Sequence, residues 1–523
     1  MGNEQLLATA VAAPLVGALF LPALGSFGRN GARLRGALAL ALALVPLACS
    51  ALLLPAVRAG AAPAVVVAGV PLLQADLLAV FMALSASLLG AVIVVYSFGY
   101  LGEVPHQGEY YLMVVLFLGA MMGLVYARNL IVLYTAWEIT AVACWRLIGF
   151  FREPAYVARA DKAFLITGFG AVTMLLGFVA VYAATGTLDL VALRGAAVGN
   201  LAVGLILVGI LSKSATLPLH SWLPDAGVAP SPVTALLHAA VLVKIGVYVF
   251  ARLFDATFVI DPVWREVVPW IAGASALVAG SAALLENDLK RVIAYSTVSQ
   301  LGFILLGFAL GGEKAAGGAL LFILVHGIAK GGLFLCAGII EHEAHTKDLR
   351  RLGGLARRMP VTAGAFALCA FSVMGLPPFG GFFAKHLVLG GAFEAGRPGL
   401  ALVFVAGSVL TVLYLGRLFA AVFLGEPGPA VAALPEAGHG DHDAGHALGN
   451  RVMVGAVALL AALSLASGVL VRFPSELAEA AARDMARTAA PGAQPTAAAA
   501  EEAGSACRRG EGLARAIDAG AVR

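Results

Sequence analysis

The chain has 523 residues, 61% of them hydrophobic and 12% charged, with a formal net charge of +4. Soluble domains carry roughly 25% charged residues, so this composition, with a mean hydropathy of +0.93, excludes an ordinary soluble enzyme and predicts a membrane protein. The small positive balance is spread between segments and gives no case for nucleic acid.

Apolar runs of 18 or more residues recur along the whole length and predict an all-α polytopic protein with about fourteen transmembrane helices of about 20 residues each. In chain order the runs are 6–24, 34–54, 77–100, 110–127, 130–150, 162–184, 201–224, 233–253, 269–285, 292–310, 317–340, 361–389, 400–424 and 452–471. The first run has no basic segment before it and no small-residue cleavage site, so it reads as a retained span. Arg29, Arg33 and Arg35 follow the first span; Arg152, Arg159 and Lys162 follow the fifth. Lys290 and Arg291 open the tenth, and Lys347, Arg350, Arg351, Arg357 and Arg358 precede the twelfth. All these loops fall on one side, which the positive-inside rule makes cytoplasmic. The expectation is a multi-pass protein of the cell's inner (plasma) membrane with both termini outside. The tail beyond residue 473 is Ala-rich and polar and is expected to be disordered or weakly helical.

Several chemistries find no residues. The five cysteines form no CxxC pair, so no disulfide framework, iron–sulfur site or zinc site is expected. No GxGxxG or Walker A pattern gives a nucleotide site. His439, His442 and His446 with Asp441 and Asp443 could hold a metal, but neither spacing nor setting matches a closed site, and a solvated linker is the expected reading. No cofactor or metal is expected in this chain.

The informative residues are charges inside the spans, because ionisable groups at membrane depth are costly and mark ion or proton paths. The stretch 211–250 carries Lys213, Pro218 and the knot His220-Ser221-Trp222-Leu223-Pro224-Asp225; Pro230 and Pro232 then reopen a helix bearing His238 and Lys244. Proline breaks a helix, and a broken helix in lipid survives where protein or trapped water satisfies the freed groups. The bland reading of each lysine is snorkelling to an interface. Glu138 follows Trp137 in the fifth span, where Lys213 could answer its charge; at about 4 Å and an effective dielectric near 20 that pair has a Coulomb energy of roughly 4 kcal/mol. Arg146, two turns on, could simply reach the interface. His326 and Lys330 stand at i and i+4 on one helix face. Pro377-Pro378 and Gly380-Gly381 interrupt the twelfth span, and Lys385 and His386 follow. Two Pro-broken spans, each with a lysine beside the break, are the pattern of inverted-repeat transporters.

These stretches resemble the antiporter-like proton-channel subunits of respiratory complex I, of Mrp-type sodium/proton antiporters and of energy-converting membrane hydrogenases. The matching residues are Trp137-Glu138, Ser212-Lys213-Ser214, 218–226, 232–238, 244–248, Asp288-Leu289-Lys290-Arg291, Ala294-Tyr295-Ser296, His326, Lys330, Asp348-Leu349 and 375–385. Phe322, Ala171 and Lys385 depart from what some relatives carry at those places. The resemblance implies two inverted five-helix repeats with discontinuous helices. It divides the chain into 1–109 (helices 1–3), a translocating core 110–424 (helices 4–8 and 9–13), 425–472 (polar His-rich loop and helix 14) and the tail 473–523. It implies a proton path through Glu138, Lys213, His238, Lys244, His326, Lys330 and Lys385. The chain would work with other membrane subunits on protons or sodium and leave any redox chemistry to them. The alternatives are an antiporter complex without electron transfer, a hydrogenase subunit, a stand-alone secondary transporter and, weakest, a membrane-embedded enzyme.

Overall fold

The computed structural model describes residues 1–24, 28–102, 104–240, 242–433 and 444–489. Among them, eleven helices are long and apolar enough to cross a membrane. They carry eleven of the runs expected from the sequence. The other three fall on shorter helices: α1 (Asn3–Ala18), α7 (Asn200–Lys213) and the pair α14 (Pro360–Met374) and α15 (Gly380–Glu394). The chain is thus a mostly helical polytopic membrane protein.

The long helices are α2 (Gly28–Arg58), α3 (Leu77–Tyr100), α4 (Gln107–Val125), α5 (Leu130–Ile148) and α6 (Pro154–Thr185). After α7 come the short α8 (Trp222–Asp225) and α9 (Ser231–Ala235), then α10 (Leu242–Phe250). α11 (Pro262–Leu285), α12 (Leu289–Leu310) and α13 (Glu313–Ala344) follow. The rest are α16 (Pro398–Phe423), the one-turn α17 (Pro429–Ala432), α18 (Ala444–Val469) and α19 (Arg472–Ala489). Helix starts are set by side chains that accept the orphan amides of the first turn. Asp76 caps α3, Asn129 caps α5, Asp261 caps α11 and Asp288 caps α12. Proline, whose missing N–H costs nothing there, opens α6, α14 and α16.

α13 is the hub. Of its 32 residues 26 are buried, and it packs against α3, α12, α14, α15, α18 and α19. Both breaks expected from proline are present. α7 stops at Lys213, the peptide Leu217–Pro218 is cis with Pro218 exposed, and the chain returns to the interior at Trp222 and Leu223. α14 stops at Met374, Gly375 turns the chain at φ +83°, Pro377–Pro378 is cis, and α15 resumes at Gly380.

A loop clamp occurs twice. Asn129 bridges Asp189, with Leu130 N–H donating to Leu188 O at 3.0 Å and Leu190 N–H to Arg128 O at 2.8 Å. Asp288 bridges Asp348, with Leu289 N–H donating to Lys347 O at 2.8 Å and Leu349 N–H to Asn287 O at 2.9 Å. Every member of the second clamp lies 159 residues after its counterpart in the first, and Pro377 lies 159 residues after Pro218.

Two features depart from the sequence expectations. Residues 64–74 form a hairpin, β1 (Ala64–Val67) and β2 (Val70–Gln74), around Ala68 and Gly69, both at positive φ. Paired positive φ is the tight-turn geometry that matches strand twist. The start of the tail, expected to be disordered or weakly helical, is the well-packed helix α19. Its Leu477, Ala478, Ala481, Ala482 and Met485 are buried, an i, i+1, i+4, i+5, i+8 face that docks on α3 and α13. His439, Asp441, His442, Asp443 and Cys507 lie outside the described residues, as does the side chain of His446.

Candidate proton-path site

The expected path residues lie inside the helical bundle, and all but Glu138 are buried. At the first break, Lys213 is the last residue of α7 and is fully buried. Its ammonium donates to the Trp137 carbonyl at 3.2 Å and lies 5.2 Å from the centroid of the Trp137 ring. Trp222 Nε1 donates to Ser212 O at 3.0 Å, tying the far side of the break back to the helix end. The Glu138–Lys213 ion pair anticipated from the sequence is not formed in this arrangement. Glu138 is half-buried, and its Oε1 has no hydrogen-bond partner among the described residues. The reason is helical geometry: consecutive residues point about 100° apart, so α5 offers Lys213 the ring and carbonyl of Trp137, while the Glu138 carboxylate accepts a hydrogen bond from Tyr134 one turn back and acts on Lys213 only through its charge. Arg146 reaches Glu109 of α4 and ion-pairs with it.

Past the break, the helix that carries His238 opens into a π turn, Leu236–Ala240, the kind of local widening found at functional sites. The His238 ring stands 4.6 Å from the Phe334 ring of α13. Lys244 is 1% exposed. Its Nζ would stand 3.0 Å from a Cβ at Gly327, so the glycine next to His326 lets the lysine approach α13. His238, Lys244 and His326 carry buried nitrogens that no group among the described residues satisfies. Buried polar atoms are nearly always bonded, to protein or to water, so three such groups side by side make a polar station within an apolar core.

Lys330, one turn after His326, is held differently. It donates to Ser296 Oγ at 2.6 Å and Ile293 O at 3.1 Å. Ser296 in turn donates to Tyr414 Oη at 2.8 Å, and Gln300 donates to Tyr414 Oη at 3.2 Å and Thr411 Oγ1 at 3.1 Å. At the second break Lys385 reaches back to the last residue of α14, donating to Met374 O at 3.2 Å, with its ammonium 5.7 Å from the Phe303 centroid. That carbonyl is one of the four that a helix end leaves unpaired, and a cation there also meets the negative end of the helix dipole.

Sequence reasoning missed the Ser296–Tyr414–Gln300–Thr411 chain, because hydroxyl and amide groups in apolar helices give no periodic signal. It also placed Lys290 in a basic loop. Lys290 is 2% exposed and pairs with Glu341 at 2.5 Å at the far end of α13. Asp225 of the first break is bound from two sides, by Lys162 at 2.7 Å and Arg291 at 2.7 Å, and so fastens the break to α6 and α12. Among the described residues no cluster of three metal-ligating side chains occurs.

A family profile described as "NADH:quinone oxidoreductase/Mrp antiporter, TM" matches residues 127–411. The "NAD(P)H-quinone oxidoreductase chain 5" of a Picosynechococcus strain is 34% identical over 374 residues, covering 67% of this chain and 55% of that protein. A Na(+)/H(+) antiporter protein of Alkalihalophilus pseudofirmus is 37% identical over 388 residues, covering 67% of this chain and 48% of that protein. The chain therefore spans about half the length of the curated relatives it matches. A chain of the Mrp complex from a Dietzia strain superposes with a TM-score of 0.82 at 27% identity, over 93% of this chain and 98% of that one. A chain of an archaeal membrane-bound sulfane sulfur reductase shares the fold at a TM-score of 0.80 and 22% identity.

Proposed function

Because the chain belongs to the NADH:quinone oxidoreductase/Mrp antiporter transmembrane family, we propose that it is a proton-translocating membrane subunit of an energy-converting complex. The parent is a complex I-like quinone oxidoreductase or related hydrogenase, or alternatively a Mrp-type sodium/proton antiporter. The observation that carries this reading is the series of buried lysines and histidines from Lys213 to Lys385 through the core. A stand-alone solute transporter would need a polar pocket shaped for its substrate; this core offers a line of titratable groups. The Mrp alternative is supported by the solved Mrp chain, which matches over nearly the full length of both proteins.

The chemistry follows from the contacts. Lys213 sits between two answers to its charge, the Trp137 carbonyl that it now holds and the nearby Glu138 carboxylate. A swing from one to the other changes the field at Lys244 and His238. Lys244 touches α13 beside His326, so a proton displaced there meets Lys330, whose ammonium is fixed by Ser296. Lys385, on the second break, exchanges its proton with water. The repeated clamp and the repeated proline position support two halves of like fold, and an odd number of crossings between them makes the halves inverted. The protein sits in the inner (plasma) membrane with both ends outside. It carries no electron-transfer cofactor, so any redox step belongs to partner subunits.

Glu138→Gln tests the reading. The substitution keeps the volume and removes the charge. Proton flux in vesicles bearing the complex should fall at least about tenfold with assembly intact, since a carboxylate near a lysine shifts its proton affinity by units. Unchanged flux would reduce Glu138 to a structural residue. Identification of the co-purifying subunits separates the parent complexes.

A further inference from the structure

The path described so far has no defined end on the face that carries the β1–β2 hairpin. α10 and the π turn that continues it, Ala251–Asp255, place Lys244, Tyr248 and Arg252 at i, i+4 and i+8, a single stripe running from the central station to that face. Tyr248 Oη donates to the Val125 carbonyl at 2.6 Å. It accepts from Arg252 Nε and Nη2, both at 3.1 Å. The guanidinium then forks onto Asp76: Nη2 donates to Oδ1 at 2.8 Å, and Nη1 meets Oδ2. Arg252 is 8% exposed. Beside the pair lies a cavity of about 20 Å³ lined by Gln74, Asp76, Arg128, Arg194, Arg252 and Thr257, polar and large enough for one water. α19 packs over α3 and over the π turn, and brings Asp484, with Arg487 beside it, into the field of Asp76, Arg194 and Arg252. Arg128 is occupied by Asp189 at 2.9 Å.

We propose that the Arg252–Asp76 pair is the electrostatic barrier at the hairpin-side outlet of the proton path. It lies between Lys244 and the surface, with Tyr248 as the positioning residue that aims the guanidinium and α19 as the cover. A fixed arginine in a narrow polar passage repels protons and cations, and it cannot relieve that repulsion by losing its own proton. Asp76 offsets part of the charge, so the barrier is tuned: high enough to stop passive return and low enough for a driven proton to leave. The tyrosine anchors the fork from the other side, so the charge cannot swing out of the passage.

The inference rests on the proton-translocating reading above, and the two fail separately. Passive proton permeability and driven flux are measured on the same native membrane vesicles with a pH-sensitive dye. Arg252→Gln should raise passive permeability about tenfold or more, the scale that a unit charge a few ångströms away sets at an effective dielectric near 20. Arg252→Lys, which keeps a charge, should restore most of the tightness. Asp76→Asn keeps an acceptor for Ala79 N–H, so α3 stays capped, but leaves the guanidinium unopposed. Driven flux should fall with no rise in leak. Only the removal of the arginine charge thus raises permeability, a split that a purely structural ion pair would not produce. Vesicles of the Arg252→Gln variant as tight as the wild type, with the protein present, would overturn the barrier, and so would increased leak in Asp76→Asn. The second variant decides the matter if the first fails to assemble. Loss of driven flux in Glu138→Gln alongside a tight Arg252→Gln would sink the outlet and leave the path standing.

Discussion

Lys385 separates a proton station from a helix anchor, because substitutions there change its charge, its titration and its packing independently. Lys385→Met keeps most of the stem between Gly375 and Phe303 but removes the bond to the Met374 carbonyl. Leaving that buried acceptor unpaired costs about 1–3 kcal/mol, and losing the ammonium over the Phe303 face about 0.5–2 kcal/mol. Against this, the variant no longer takes a charge out of water, a penalty of several kcal/mol per ion. The terms nearly cancel, so the thermal midpoint of the complex should hardly move while flux collapses. Lys385→Arg keeps charge and the reach to the carbonyl. Its guanidinium is bulkier than the ammonium it replaces, and the Lys385 Cδ already stands 2.8 Å from where a Gly375 Cβ would be; overpacking of this kind costs about 1–3 kcal/mol. Arginine releases its proton only above about pH 12, roughly five units above the working range. A station that must unload there would leave under about 1% of normal flux. Dye-monitored proton flux in vesicles, with subunit composition checked on the same preparation, reads the result. Near-native flux in the arginine variant would remove Lys385 from the path and leave it as a cap on α14.

Two further outcomes check the packing that positions the site. Gly246 faces the end of α7, where an added Cβ would lie 2.6 Å from Ile210 O and 2.8 Å from Ser214 N; Gly246→Ala should lower stability by about 1–3 kcal/mol and slow flux by moving Lys244, while Gly168→Ala on open α6 surface should do neither, both read by thermal shift and flux. The first loop clamp should loosen in acid: burial alone would raise the Asp189 carboxyl, but the Arg128 hydrogen bonds and charge and the Val191 amide outweigh it and hold it low. A lowered folded value means the contribution is present above the unfolded value near 4 and is lost as pH falls through the folded one. Protection of Leu130 and Leu190 against hydrogen exchange, taken relative to the free-amide rate, should therefore hold from neutral pH to about pH 4 and decline below it; protection unchanged once the Asp189 carboxyl has taken its proton would show that the backbone bonds alone hold the clamp.

Much was legible in the chain itself. Composition and apolar run length announced a helical membrane protein, because lipid admits few alternatives. Proline with a lysine nearby marked both breaks, whereas Pro14, Pro46, Pro55 and Pro269 lie inside helices that continue past them. Lysine and histidine stood out at membrane depth, because their burial is too costly to occur by drift. What the sequence could not determine was the partner of each charge. Lys213 turned to the Trp137 carbonyl and away from Glu138, a choice set by how α5 is rotated against α7. Lys290 looked like a loop cation, yet it is buried against Glu341, 51 residues away along the chain. Ser296, Tyr414 and Gln300 became a polar chain under Lys330 only when α12, α13 and α16 came together. α19 looked like polar tail until α3 and α13 offered its narrow apolar face a surface. Run length and proline act locally, on the segment that carries them, so one dimension suffices to read them. Hydrogen bonds and ion pairs depend on helix rotation and approach to within an ångström, which many distant side chains settle jointly through packing.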